Sequence, residues 1–129
     1  MKHLSVFDVV QIHDTYIKMF GGSLGIRDDN LLDSAVFRCQ ASFDGKDLYA
    51  TVFEKAAALF HGIIFDHPFA DGNKRTALFS AVRLLYLNGY EFTALNNEAA
   101  AFPLFVENTR PDISEISIWF KKHSVKGIK

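Results

Sequence analysis

Ten consecutive residues, His67-Pro68-Phe69-Ala70-Asp71-Gly72-Asn73-Lys74-Arg75-Thr76, bring together an imidazole, a carboxylate, a turn glycine, an amide, two cations and a hydroxyl. The apolar sequence on either side needs none of them. A helix starting at Asn73 leaves the backbone N–H groups around Gly72, Asn73 and Lys74 without intrahelical partners. With the helix dipole, those groups form a cradle for an anion. Gly72 permits a positive φ or a close approach to an oxygen, Arg75 forks onto phosphate oxygens, and Lys74 adds a second cation. Asp71, one residue before the cradle, is a hard carboxylate suited to holding Mg²⁺ against the same phosphates. His67 stands four residues earlier. Imidazole has a reference pKa of about 6.5, which suits it to take a proton from an attacking hydroxyl near neutral pH.

Each residue also has a plainer use. His67 alone reads as a packed histidine, Asp71 as a helix cap, and Lys74 and Arg75 as an exposed helical face. Asn73 either contacts phosphate or ties the loop to itself, and Thr76 either touches phosphate or is structural. Phe69 plugs into the core and Pro68 stiffens the loop. The coincidence of all of them in one loop favours phosphate chemistry. A Walker A loop is excluded, because Asn73-Lys74-Arg75-Thr76 follows a single glycine and no strand precedes it. A transition-metal site from His61, Asp66, His67 and Asp71 lacks both a His-Glu-x-x-His pattern and a cysteine ligand.

The elements that must hold this loop are helical. Ser5 and Asp8 cap a first helix whose apolar positions, Val6, Val9, Val10, His13, Tyr16, Ile17 and Phe20, recur until Gly21-Gly22. The glycine-rich run from Gly21 to Arg27 reads as a mobile loop. Asp28 or Asp29 caps a second helix through Leu31, Leu32, Ala35, Val36 and Cys39. Ala41 to Lys46 reads as a polar connection, after which Asp47 opens a long helix with Val52, Phe53, Ala56, Ala57, Phe60 and Ile64, apolar enough to be the centre of a bundle. Asn73 to Asn88 forms the next helix, stopped at Asn88-Gly89, so two buried helices flank the polar loop. Tyr90 to Thr93 is a short extended piece. Asn97 caps a helix towards Asn108, with Pro103 predicting a kink or split. Asp112 or Ser114 starts a terminal helix striped by Ile113, Ile116, Trp119 and Phe120. The expectation is a single all-α domain over residues 1–129, a compact helical bundle with at most one short hairpin.

Composition bounds the rest. With 129 residues, 49% of them hydrophobic, one domain can bury a core. A formal net charge of -1 supplies no field for nucleic acid or an acidic membrane. Lys74, Arg75 and Arg83 are spread along one helix, and Lys121, Lys122, Lys126 and Lys129 read as a solvated tail. The one cysteine, Cys39, excludes an internal disulfide and reads as a small core residue. His13 and His61 read as core or rim histidines. The N-terminus has no apolar h-region and no apolar run is long enough to span a bilayer, so the expectation is a soluble cytoplasmic protein.

The run from His67 to Thr76 resembles the active-site motif of the Fic/Doc superfamily, and of its death-on-curing (Doc) toxins in particular. Gly21-Gly22, Gly25-Ile26-Arg27-Asp28 and Leu31-Leu32-Asp33-Ser34-Ala35 also resemble the Doc subfamily, so the likeness covers most of the chain. The resemblance implies a Fic/Doc-type bundle with ATP and Mg²⁺ as cofactors. His67, Lys74 and Arg75 would be catalytic, Gly72, Asn73, Lys74 and Arg75 would bind the nucleotide, and Asp71 would hold the metal. Fic members with Gly-Asn-Gly-Arg transfer AMP; here Lys74 replaces the second glycine, filling space and adding charge. Doc toxins carry this lysine, and the resemblance implies transfer of the γ-phosphoryl to a Ser or Thr hydroxyl of a translation factor such as elongation factor Tu. The alternatives are AMP transfer and a non-catalytic module that binds phosphate or nucleotide. The restraining Ser/Thr-x-x-x-Glu-Gly/Asn motif of many Fic enzymes is missing. Glu107-Asn108 comes nearest, with Pro103 in the Ser/Thr position. Restraint is therefore expected in trans, from an antitoxin chain that folds onto an apolar groove.

Overall fold

A computed structural model of the chain describes residues 1–127. Among these residues the helices are α1 (Val6–Phe20), α2 (Asp29–Arg38), α3 (Val52–Asp66), α4 (Asn73–Leu87), α5 (Asn96–Thr109) and α6 (Ile113–Lys122). Two short antiparallel pairs accompany them: β1 (Ser42–Phe43) with β2 (Lys46–Asp47), and β3 (Tyr90–Phe92) with β4 (Ser124–Lys126). The fold is thus a helical bundle with one true hairpin and one pairing between distant segments. No described helix is long and apolar enough to cross a membrane.

Helix α3 is the axis. Val52, Ala56, Ala57, Ala58, Leu59, Phe60, Ile63 and Ile64 are all buried, and α2, α4 and α6 pack around it. Such a helix is apolar on nearly every side because every side meets protein. Phe60 lies within 5.4 Å of the rings of Phe102 and Phe120. Burying a side chain of that size stabilises the fold by about 1.5–3 kcal/mol. Helix α1 covers the other flank of α4.

The helix ends follow their local chemistry, and five features depart from the sequence reading. Ser5 and Asp8 form a reciprocal capping box at α1 as expected. Asp47, however, does not open α3. Thr51 and Glu54 form a second capping box four residues later, and Asp47 instead pairs from β2 with the buried Lys55 ammonium at 3.2 Å. The connection from Ala41 to Lys46 is a tight hairpin, because Asp44 (φ 54°) and Gly45 (φ 79°) both adopt the left-handed region that a two-residue turn requires. Leu95, not Asn97, is the N-cap of α5, its N–H bonded to Glu98 Oε1 at 3.0 Å. Pro103 does not split that helix: it is buried beside Phe102, whose ring stacks on Trp119 at 3.7 Å, and the packing offsets the missing hydrogen bond. Of the basic residues read as a tail, Lys126 is instead part of β4, and Lys129 lies outside the described residues.

His61, half-buried on α3, accepts a hydrogen bond at Nδ1 from Arg38 Nη1 at 3.2 Å. Burial first, and the Arg38 charge second, hold its pKa below the usual imidazole value; burial does the same for His3, aided by Lys55. The unfolded chain therefore takes up these protons at a higher pH than the folded one, so stability present near neutrality is lost as pH falls through about 6.5. Urea midpoints should drop between about pH 7.5 and about pH 5.5, with a shallower drop for His61→Leu. An unchanged or rising midpoint would contradict this assignment.

Candidate active site

The loop from His67 to Gly72 leaves the end of α3 and enters α4. His67 is the C-cap of α3 with φ 47° and ψ 58°, a left-handed conformation uncommon outside glycine. Arg27 holds that turn: its Nε donates to the His67 carbonyl at 2.6 Å and its Nη2 to the Asp66 carbonyl at 2.7 Å. A cation is thereby placed at the negative end of the helix dipole. The segment from Gly21 to Arg27, expected to be mobile, is pinned to the loop. Arg27 N–H donates to the Pro68 carbonyl at 2.7 Å, Ala70 N–H donates to the Gly25 carbonyl at 3.0 Å, and Ile26 pairs with Phe69 as an antiparallel bridge. Arg27→Ala should cost about 1–3 kcal/mol by removing two charge-assisted bonds, measured as a lowered thermal midpoint; an unchanged midpoint would show the brace to be dispensable.

Beneath the loop, Phe69 is buried and stacks on His13, ring centroids 3.9 Å apart and planes 6° from parallel. His13 Nε2 lies 2.8 Å from the Asp71 carbonyl oxygen, a contact in which the ring donates, and Nδ1 lies 2.9 Å from Asp14 Oδ1. A residue read as a core or rim histidine is thus the floor of the loop. The side chain of Asn73 turns inward and closes the loop on itself. Its Oδ1 accepts from Phe69 N–H and its Nδ2 donates to the Phe69 carbonyl, both at 2.9 Å. Both polar atoms of its side chain are thus engaged within the loop, the second of the two uses open for Asn73, and its backbone N–H lies at the cradle.

Gly72 caps α4 at φ +74°, a left-handed conformation that favours glycine, and a Cβ there would lie 2.9 Å from Ile17 Cδ1, so any other residue is strained. Of the donors expected for the cradle, Gly72 N–H is instead taken by Asp71 Oδ1 at 2.8 Å, whereas the N–H groups of Asn73, Lys74 and Arg75 carry no hydrogen bond among the described residues. They are the donors that an anion at this helix end would meet. The two cations flank them. Lys74 reaches towards α5, its Nζ 3.7 Å from Glu107 Oε1, while Arg75 lies over the Phe20 ring at 4.4 Å, at the end of α1. Thr76 is buried in the helix interface. The imidazole of His67 is about half exposed and faces the same glutamate, Nε2 to Oε2 at 3.7 Å. His67 and Lys74 thus stand around one carboxylate at the mouth of the cradle.

Asp71 is tied on both sides. Oδ1 accepts Gly72 N–H at 2.8 Å and Oδ2 accepts Ser23 N–H at 3.1 Å. Gly22 passes so close that a Cβ would lie 2.8 Å from Oδ2. A carboxylate has about four lone-pair positions, so one on each oxygen remains after these bonds. That fits Mg²⁺ bound by one carboxylate together with substrate phosphates. No cluster of three or more His, Cys, Asp or Glu side chains suited to a metal occurs among the described residues, so the grouping of His61, Asp66, His67 and Asp71 is not assembled.

A chain folded this way, with this loop between its central helices, belongs to the Fic/Doc family, whose model, described as Fic/DOC family, matches residues 3–85. Within the family its relatives are Doc proteins. The chain is similar to Toxin Doc of Mycolicibacterium smegmatis, 47% identical over 75 residues, 58% of each chain. It is also similar to Protein kinase doc of Escherichia phage P1, 33% identical over 91 residues, 70% of this chain and 71% of that one. The chain thus spans less than two thirds of the length of the first of these relatives.

Sequence reading missed three residues of the site: His13, Arg27 and Glu107. They lie on α1, before α2 and on α5, and only the fold brings them to the loop. Each was noticed for another reason: Arg27 for the glycine-rich run that precedes it, Glu107 for its nearness to the restraining motif, and His13 as a core or rim histidine, which its burial bears out.

Proposed function

We propose that this chain is a Doc-type toxin that transfers the γ-phosphoryl of ATP to a Ser or Thr hydroxyl of a protein. The observation that carries the reading is the meeting of His67 and Lys74 around Glu107 at the α4 N-terminus, whose first N–H groups are free. The triphosphate would lie on those N–H groups, with Lys74 and Arg75 turning onto its oxygens. His67 takes the proton of the acceptor hydroxyl while the γ-phosphoryl parts from ADP, a reaction in which positioning and charge neutralisation supply most of the rate. Asp71 would hold Mg²⁺, which supplies neutralisation of phosphate charge when bound. The name of the phage relative, a protein kinase, supports phosphoryl transfer over AMP transfer. Lys74 supports it too, as a bulky cation on the cradle. The family resemblance suggests a translation factor such as elongation factor Tu as the target class.

Restraint by a separate antitoxin chain goes with this reading. A shallow, mostly apolar groove of about 340 Å³ between α1 and α4, lined by Ile12, Tyr16, Phe79, Val82, Arg83 and Tyr86, would accept an amphipathic helix. The test of the proposal is incubation of the chain with a bacterial extract and ATP labelled either at the α- or at the γ-phosphate. Incorporation of γ-label alone supports it, whereas α-label in protein indicates AMP transfer. Nucleotide binding without transfer of either label indicates a binding module.

A further inference from the structure

Helix α5 carries into the site a carboxylate that no motif announces. Glu107 divides its two oxygens, Oε2 to His67 Nε2 and Oε1 to Lys74 Nζ, each at 3.7 Å. It is the least exposed of the three, at 29% against 47% for each partner. Its helix is well anchored: the preceding residue, Val106, is buried, and Phe102 one turn earlier stacks on Trp119. A negative charge on a rigid support thus faces one particular nitrogen of the imidazole.

Two roles compete for such a group. As an anion beside Lys74 it would oppose a triphosphate and slow the enzyme; as a partner of the imidazole it would help. The atoms in contact favour the second. Nε2 is the nitrogen facing Glu107, and Nδ1 of His67 has no partner among the described residues. An acceptor-only carboxylate favours the tautomer with the proton on Nε2, which leaves the lone pair on Nδ1. At 3.7 Å the pair is a charge contact, and catalytic hydrogen bonds are often this long before substrate tightens them.

Resting on the phosphotransfer reading, we infer that Glu107 is a positioning residue for His67: it keeps the proton of the neutral ring on Nε2, so that Nδ1 is the atom that accepts the substrate proton. In the step, the acceptor O–H bond breaks and its proton passes to Nδ1. The oxygen bonds to the γ-phosphorus. The bond from that phosphorus to the β,γ-bridging oxygen breaks, and its electron pair leaves on ADP. Glu107 keeps its charge throughout and faces the imidazolium that forms. Before nucleotide binds, Lys74 faces the other oxygen of that carboxylate.

The test has two readouts. Nitrogen NMR of the free chain should find neutral His67 with its proton on Nε2, and Glu107→Ala should shift the ring towards a mixture of tautomers. With γ-labelled ATP and bacterial extract, Glu107→Ala should lower kcat about 10- to 100-fold with no rise in KM for ATP, and Glu107→Asp should recover part of the loss. A wild-type ring protonated on Nδ1, or a Glu107→Ala chain as fast as or faster than wild type, would overturn the inference. A wild-type chain that transfers no label would instead remove the phosphotransfer reading. The tautomer, read without nucleotide, would still decide where Glu107 places the proton.

Discussion

On the phosphotransfer reading, replacing His67 with alanine should lower phosphoryl transfer by about 10²- to 10⁴-fold, the range for a lost general base. ATP binding should change little, because the cradle is built from backbone N–H groups of α4 that the substitution does not touch. The loop should also keep its place. Arg27 bonds the carbonyls of Asp66 and His67, and neither bond involves the imidazole. His67 is about half exposed, so truncation opens no core cavity. The checks are single-turnover transfer from γ-labelled ATP and, separately, nucleotide binding by calorimetry. Loss of binding together with transfer would mean that the ring supports the cradle instead of acting on the hydroxyl. Undiminished transfer would remove His67 from the chemistry.

Asp71→Ala should be nearly as damaging, lowering transfer on the order of 10²- to 10³-fold by removing the carboxylate that would hold Mg²⁺ against the phosphates. The substitution also frees Ser23 N–H and Gly72 N–H, so the Gly21 to Arg27 segment loses one of its ties to the loop. Asp71→Asn separates the two effects. Its amide oxygen still accepts one backbone N–H and its shape is unchanged, but its charge is gone. If charge is what matters, Asp71→Asn is as slow as Asp71→Ala and its residual rate responds weakly to added Mg²⁺. A fast Asp71→Asn chain with ordinary Mg²⁺ dependence would assign this residue to loop structure alone.

What the sequence revealed depended on how far apart the partners are. Ser5 and Asp8, or Asn88 and Gly89, sit within one turn of each other, and their capping chemistry reads directly from the letters. The Asp44-Gly45 turn was missed because the flanking strands are only two residues each, too short for an alternating pattern. Pro103 misled because propensity is local, whereas the packing of Phe102 on Trp119 that keeps α5 whole is not. The same division runs through the site. His67, Asp71, Gly72, Lys74 and Arg75 announced themselves by crowding into one loop. The loop's supports lie far away: Arg27 reaches over 40 residues to His67, and His13 over 58 to Asp71. Asn73 was ambiguous because an asparagine at a helix start serves a ligand or its own loop equally well. The bonds to Phe69 decided that only in three dimensions.

The most direct measurement is the mass of the product. Wild-type chain, ATP, Mg²⁺ and an isolated acceptor protein should yield acceptor heavier by one phosphoryl group on a Ser or Thr, with ADP released and no product from His67→Ala. An acceptor heavier by an adenylyl group, with pyrophosphate released, would contradict the placement of the γ-phosphoryl beside the imidazole.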